Sequence, residues 1–177
     1  MIIGIDPGTF GCGVCVASDA GRIIDAKHVK NFAKGSGPKE CAVMARAVYE
    51  SALGYDITTL VLEYPQIYQR EGGKTKGDPN GIMPLAGVDA AIATVFPLAN
   101  VFVYRPSDWK GQTQKPESVG AGEYIITGRV KSRLDAEELA RIVWPVSVKH
   151  SYDVADAIGV TLYHVGRFER KKVYARE

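Results

Sequence analysis

Four acidic residues stand out by where they fall. Asp6 ends the apolar run in MIIGIDPGT, Glu63 closes TTLVLE just before Tyr64-Pro65, and Asp153 and Asp156 lie three apart in HSYDVADAIGVTLYH. A lone carboxylate in an apolar strand is costly to bury, so Asp6 needs a proton, a cation or a metal ion beside it. Carboxylates gathered at one place repel one another unless a cation lies among them. An all-oxygen ligand set suits Mg²⁺ or Mn²⁺ rather than zinc. Two such ions can activate a water and stabilise a departing oxygen in phosphodiester hydrolysis. Taken singly, each acid also fits an ordinary role: Asp6 opening a Pro-Gly turn, Glu63 ending an exposed strand, the aspartate pair complementing a helix N-terminus near Ser151. Their joint placement is what points to a metal centre.

The surrounding elements must bring these acids together. On a strand over 1–6, Ile2, Gly4 and Asp6 share one face and Ile3 and Ile5 the other, with Gly4 expected to leave room beside Asp6. Strands are expected over 10–18 and 22–30, bounded by Pro7-Gly8 and by Asp19-Ala20-Gly21, and the short connections make an antiparallel meander of the three. Helical spacing over 39–53 stops at Gly54. A buried strand over 58–63, an alanine-rich buried helix over 84–97 and a strand over 100–104 follow. An amphipathic helix is expected over 132–143 and a last helix over 152–168. The Gly-rich stretch 69–83 and the segment 111–123 read as loops. A meander followed by βαβ crossovers gives an α/β fold, a mixed five-stranded sheet with helices on both faces. If 58–63 lies beside 1–6, Asp6 and Glu63 meet at a strand end, where open α/β sheets take ligands. On the last helix, Asp153 and Asp156 lie on one side, apart from the stripe Val154, Ile158, Leu162 and Val165 that can pack on the sheet.

The bulk properties fit one folded domain over 1–177, with 46% apolar and 24% charged residues and no internal repeat or linker. No apolar run approaches the roughly 18 residues of a membrane helix. The start has no basic segment, and Asp6 interrupts its apolar stretch, so a secretory signal is not expected and the chain reads as cytoplasmic. Cys12-Gly13-Val14-Cys15 forms a C-x-x-C, but it lies in a strand-like run with no second pair to complete a zinc site. The cysteines therefore read as small residues of a reducing compartment. A net charge of +2 does not by itself announce nucleic acid. The distribution says more: Arg129, Lys131 and Arg133 cluster, Arg70, Lys74 and Lys76 lie in the Gly-rich stretch, and the tail after Gly166 is basic. Such clusters can neutralise phosphates, and each alone also fits a solvated surface.

The ordered set IGIDPGT, LVLE and DVADAIGVTLYH resembles the RuvC family of Holliday-junction resolvases, within the ribonuclease-H-like superfamily that also holds the retroviral integrases. The resemblance spans nearly the whole chain. It implies that Asp6, Glu63, Asp153 and Asp156 are catalytic, metal-binding carboxylates holding two Mg²⁺ or Mn²⁺ ions. It implies a homodimer that nicks two opposed strands of a four-way DNA junction and leaves ligatable 5′-phosphate and 3′-hydroxyl ends. It makes Ile67 or Tyr68, just after the second acid, a wedge at the junction centre. It makes Lys110 and Lys115 of WKGQTQK phosphate contacts. Lys74, Lys76, Arg129, Lys131 and Arg133 are further DNA-contact candidates from the two basic clusters. His150 reads as a cap or surface residue, or as a contact to water or phosphate. The stretches 69–83 and 111–133 look longer than in the bacterial enzymes, so neither their cleavage preference nor their helicase partnership carries over. These departures point to a divergent bacterial or phage member, acting in the cytoplasm of a bacterial cell or infected host. Two other classes compete. Actin- and sugar-kinase-like nucleotide-binding proteins also open on a D-x-G-T strand, but they need a second similar domain and a second glycine-rich motif. A junction-binding protein that does not cleave is opposed by the complete set of acids.

Overall fold

The computed structural model describes residues 1–33, 35, 37–65, 68–69, 75–76, 79–110 and 128–167. Strands β1 (Ile2–Asp6), β2 (Gly11–Ala17) and β3 (Ile23–Lys30) form the expected meander. Strand β4 (Thr59–Glu63) lies parallel beside β1. Two short strands, β5 (Tyr68–Gln69) and β6 (Thr75–Lys76), pair apart from the main sheet, inside the stretch expected to be loop. Strand β7 (Asn100–Tyr104) pairs parallel with β4, and the sheet order is β3-β2-β1-β4-β7. The helices are α1 (Pro38–Ser51), α2 (Pro79–Val95), α3 (Pro106–Trp109), α4 (128–131), α5 (Ala136–Ala140) and α6 (Val148–His164).

Strand alternation divides the core in two. Ile3, Ile5, Cys12, Val14 and Leu62 face Met44 and Val48 of α1 and Val88 and Ile92 of α2. Ile2, Cys15 and Val61 face α6, whose Val154, Ile158 and Leu162 are fully buried as the stripe requires. The C-x-x-C is thereby split across the sheet, Cys12 to one layer and Cys15 to the other, and burial pushes the Cys15 thiol up to about 12. Neither thiol is available for redox or metal chemistry with the other.

Helix α6 lies unusually close to the strands. A Cβ at Gly13 would sit 1.8 Å from the carbonyl oxygen of Asp153, and one at Gly4 would sit 1.8 Å from Thr161 Oγ1. Gly4 therefore makes room for α6 and not, as expected, for the neighbourhood of Asp6. The two glycines bring α6 down onto β1 and β2 with its acidic edge over the end of β1.

The main differences from the sequence expectation lie at three helices. The helix expected over 132–143 is shorter: α4 lies before that range, 132–134 form a turn, and α5 starts only after its cap at Asp135. Its side chain accepts from the Glu138 backbone N–H at 2.8 Å while Glu138 accepts from the Asp135 N–H at 3.1 Å. That reciprocal cap is a start signal within an apparently continuous pattern. Helix α2 begins at Pro79, inside the Gly-rich stretch, because proline suits a first helical turn whatever the composition around it. Helix α6 begins at Val148 rather than 152, and so takes in His150.

Glu138 ties these pieces together. It is 2% exposed and accepts from both Arg167 Nη atoms, at 2.7 and 3.1 Å, and from the Ile23 backbone N–H at 2.9 Å. One carboxylate thus joins α5, the start of β3 and the chain leaving α6. Among the described residues, no helix is long and apolar enough to cross a membrane.

Candidate metal centre

The register of the sheet builds the site. Ile5 of β1 pairs with Leu62 of the parallel β4, so the next residue on each strand, Asp6 and Glu63, ends its strand at the same level. Both side chains point to the α6 face. Asp156, one turn beyond the close approach at Gly13, reaches down from α6. One carboxylate oxygen from each of Asp6, Glu63 and Asp156 lies within 4.8 Å of the others. Glu63 and Asp156 are buried, at 7% and 8% exposed.

Their electrostatics follow from that crowding. Burial, followed by the charges of Glu63 and Asp156, raises the Asp6 carboxyl well above the usual range. Burial also raises Asp156, with the Lys110 ammonium opposing the shift and the charges of Glu63 and Asp153 adding to it. Lys110, one residue past α3, donates to Glu63 Oε1 at 2.7 Å and to Asp156 Oδ2. Burial works against its charge, but Asp156, Glu63 and Asp6 outweigh it and hold the ammonium well above the ordinary lysine range. Trp109 Nε1 donates to the other Glu63 oxygen at 2.9 Å. Asp156 Oδ1 is buried with no hydrogen-bond partner among the described residues.

These residues fit a hard divalent cation. Three carboxylates converge, two of them on one ammonium, the ligand atoms are all oxygen, and one buried oxygen has nothing to accept from among the described residues. Asp153 adjoins the trio without joining it. It sits one turn back along α6, 25% exposed at the side chain, with Oδ2 3.3 Å from His28 Nε2. Its charge still raises both Asp6 and Asp156.

No family model matches the sequence, and no curated protein matches it. Solved structures do match. Thermus thermophilus RuvC in complex with a Holliday-junction substrate aligns at a TM-score of 0.53 and 14% identity, over 95% of this chain and 97% of that one. The yeast mitochondrial Holliday-junction resolvase Ydc2 aligns at 0.55 and 13%, over 94% of this chain and 78% of that one. The fowlpox virus resolvase, solved with its substrate Holliday-junction DNA, aligns at 0.54 and 12%, over 94% and 99%. The chain has a RuvC-like resolvase fold. The mixed five-stranded sheet with flanking helices is therefore the ribonuclease-H-like architecture expected from the ordered acidic motifs.

Within this RuvC-like fold, the other candidate residues fall in several places. Lys110, expected on a DNA phosphate, lies inside the acidic cluster, between carboxylates of Glu63 and Asp156 that would otherwise face one another unpaired. Arg129, Lys131 and Arg133 are exposed on and just after α4, with the Lys131 ammonium 5.1 Å from the Trp144 ring. His150 is half-buried and stacks on His28, with ring centroids 4.0 Å apart, rather than capping a helix. Ile67, Lys74 and Lys115 lie outside the described residues. Tyr68 and Lys76 are described only as backbone, in β5 and β6.

Sequence reasoning missed three residues here. Trp109 reads as core in any sequence, and only its indole N–H reveals its part. His28 carries no signal because its partners are on other elements. Asp89 was legible in principle as an acid in an otherwise apolar helix. It is 6% exposed, both its oxygens lack hydrogen bonds, and burial, then the charge of Glu63, pushes its carboxyl up to about 8.

Asp89 carries a pH signature. Between its ordinary value near 3.8 and about 8, the folded chain keeps a proton that the unfolded chain has lost, so this residue lowers stability as pH rises across that window. Asp89→Asn removes the effect. The unfolding free energies of variant and wild type are expected to diverge by up to about 1.4 kcal/mol per pH unit between pH 4 and 8, in the variant's favour. Parallel stability curves across that range would show that Asp89 is solvated or paired.

Proposed function

We propose that this chain is a divalent-metal-dependent endonuclease that resolves four-way DNA junctions. The observation that carries the reading is the meeting of Asp6, Glu63 and Asp156 within 4.8 Å at the strand ends of a RuvC-like sheet. Structures of two proteins with this fold contain Holliday-junction DNA.

In this reading Asp6, Glu63 and Asp156 hold the cation, with Asp153 as the fourth carboxylate at the cluster's outer edge. Mg²⁺ or Mn²⁺ bound there supplies an activated water and stabilises the charge that develops on the departing oxygen. Trp109 fixes one oxygen of Glu63, so this ligand is oriented before any ion arrives. Lys110 lowers the mutual repulsion of the acids and keeps a positive charge near where a phosphate's negative charge would enter. Hydrolysis breaks the bond between phosphorus and the 3′ oxygen, joins the water oxygen to phosphorus and leaves a 5′-phosphate and a 3′-hydroxyl. Two copies of the chain act on opposed strands, which gives symmetric, ligatable nicks. Arg129, Lys131 and Arg133 supply backbone contacts to the arms, and the segment after Glu63, with Ile67 and Tyr68, supplies the wedge.

The test is a synthetic four-way junction incubated with the chain and Mg²⁺ or Mn²⁺, beside a linear duplex of matching sequence. Paired nicks in opposed junction strands that ligase can seal, absent with a chelator and scarce on the duplex, are expected. Tight junction binding with no cutting in either ion would instead leave a binding protein, and equal cutting of the duplex would remove the junction selectivity.

A further inference from the structure

We infer that His28 is a positioning residue for Asp153, fixing this carboxylate at the edge of the acidic cluster. The inference rests on the metal-centre reading above and extends it to β3, to which no role has been assigned.

The geometry begins in the sheet. His28 pairs with Gly13, and Gly13 pairs with Asp6, so the three form one row across β3, β2 and β1 on the α6 face. Glu63 stands on the far side of Asp6 in β4. Asp6 is thus flanked by Glu63 on one side and, across Gly13, by His28 on the other, with α6 lying across the row. Gly13 in the middle has no side chain, and α6 takes that space with the Asp153 carbonyl. The Asp153 side chain is thereby delivered beside the His28 ring.

The niche for that ring is built. His28 is 5% exposed at its side chain, and a Cβ at Gly11 would sit 2.3 Å from its Cε1. His150, one turn before Asp153 on α6, stacks on the ring at 4.0 Å and 20°. With sheet below, helix above and a stacked neighbour, the imidazole has little freedom to turn. Its Nε2 is buried without a hydrogen bond among the described residues, and Asp153 Oδ2 lies 3.3 Å away. A histidine buried in this way for packing alone would strand a polar nitrogen at the full cost of its desolvation. Engaging one oxygen of Asp153 relieves that cost and leaves the other oxygen free to turn toward Asp6 and Asp156. Groups that hold a ligating carboxylate in this way typically change metal affinity by about 10- to 100-fold when removed.

The test compares Mn²⁺ binding, by electron paramagnetic resonance and calorimetry, in wild type, His28→Phe and His28→Gln. Phenylalanine keeps a stacked ring but no nitrogen, and glutamine keeps a donor of similar reach. Mn²⁺ affinity is expected to fall by about 10-fold or more in His28→Phe and to stay within about 3-fold of wild type in His28→Gln. In an Asp153→Ala background, His28→Gln and His28→Phe are expected to bind Mn²⁺ alike, because the effect passes through Asp153. If His28→Phe does not fold, His28→Asn, whose amide stops short of Asp153, is used in its place. Unchanged affinity in the donor-free variant, or an undiminished loss when Asp153 is already alanine, would overturn the role of His28 while leaving the metal centre intact. A wild-type chain that binds no Mn²⁺ would remove the metal centre and this inference together.

Discussion

Asp6→Asn is expected to bind a four-way junction as well as wild type does and to cut it at least about 1,000-fold more slowly, a loss of roughly 4 kcal/mol in transition-state stabilisation. The substitution is nearly isosteric. It leaves β1, the Gly13 pairing and the approach of α6 in place, so binding surfaces remote from the cluster are preserved. What it removes is the carboxylate that meets Glu63 and Asp156 within 4.8 Å. The same change should make the fold slightly more stable at neutral pH. Burial and two neighbouring negative charges hold the Asp6 carboxyl well above its usual range, so its ionised form is unfavourable in the folded chain. Loss of cutting with retained binding and an unchanged or raised Tm is therefore the signature of a residue kept for chemistry at the expense of stability. Electrophoretic binding with Ca²⁺, cleavage with Mg²⁺ and a thermal melt measure the three parts. Cutting at the wild-type rate would take Asp6 out of the reaction.

The largest effect on folding is expected at a different acid. Glu138→Ala should cost about 2–3 kcal/mol, because it takes the carboxylate from the Arg167 guanidinium, which is part-exposed and keeps its bonds to Gly21 and Arg133, and strands the Ile23 N–H. The Arg167 hydrogen bonds come first among the causes that hold Glu138 down to about 2, against an ordinary 4.5. The folded form is therefore favoured by an ionised Glu138 above pH 4.5, and this contribution drains away as pH falls from 4.5 toward 2. Wild type should lose stability steeply across that window, and Glu138→Ala should lose less. Urea midpoints at pH 7 and pH 3 measure both effects. A variant as stable as wild type at pH 7 would show that the Arg167 cluster is a surface ornament rather than the tie between α5, β3 and the end of α6.

The two acids differ in how visible they were. Asp6, Glu63 and Asp156 could be read from sequence because each interrupts a strong local pattern, two at strand ends and one beside a helical apolar stripe. The pairing of β1 with β4 followed from the usual behaviour of a βαβ crossover. Glu138 and Asp135 were hidden within a pattern that looked like one amphipathic helix, since a capping box and a continuing helix share residue types. Gly4 was misjudged because a strand glycine shows only that something approaches closely, and here that is Thr161. The place of Lys110 among the acids was not visible, because a basic residue near an acidic site has two destinations of similar chemistry. The choice depends on where α3 ends relative to Glu63, which no local pattern encodes. His28 and Asp89 owe their environments wholly to contacts between elements distant in sequence.

The central claim is that the converged carboxylates form a divalent-ion site, and anomalous diffraction from crystals grown with Mn²⁺ tests it most directly. The account predicts an anomalous peak bounded by the oxygens of Asp6, Glu63 and Asp156, with the Lys110 ammonium moved off Asp156. A crystal saturated with Mn²⁺ that shows no peak there, and Lys110 still bridging Glu63 and Asp156, would contradict it.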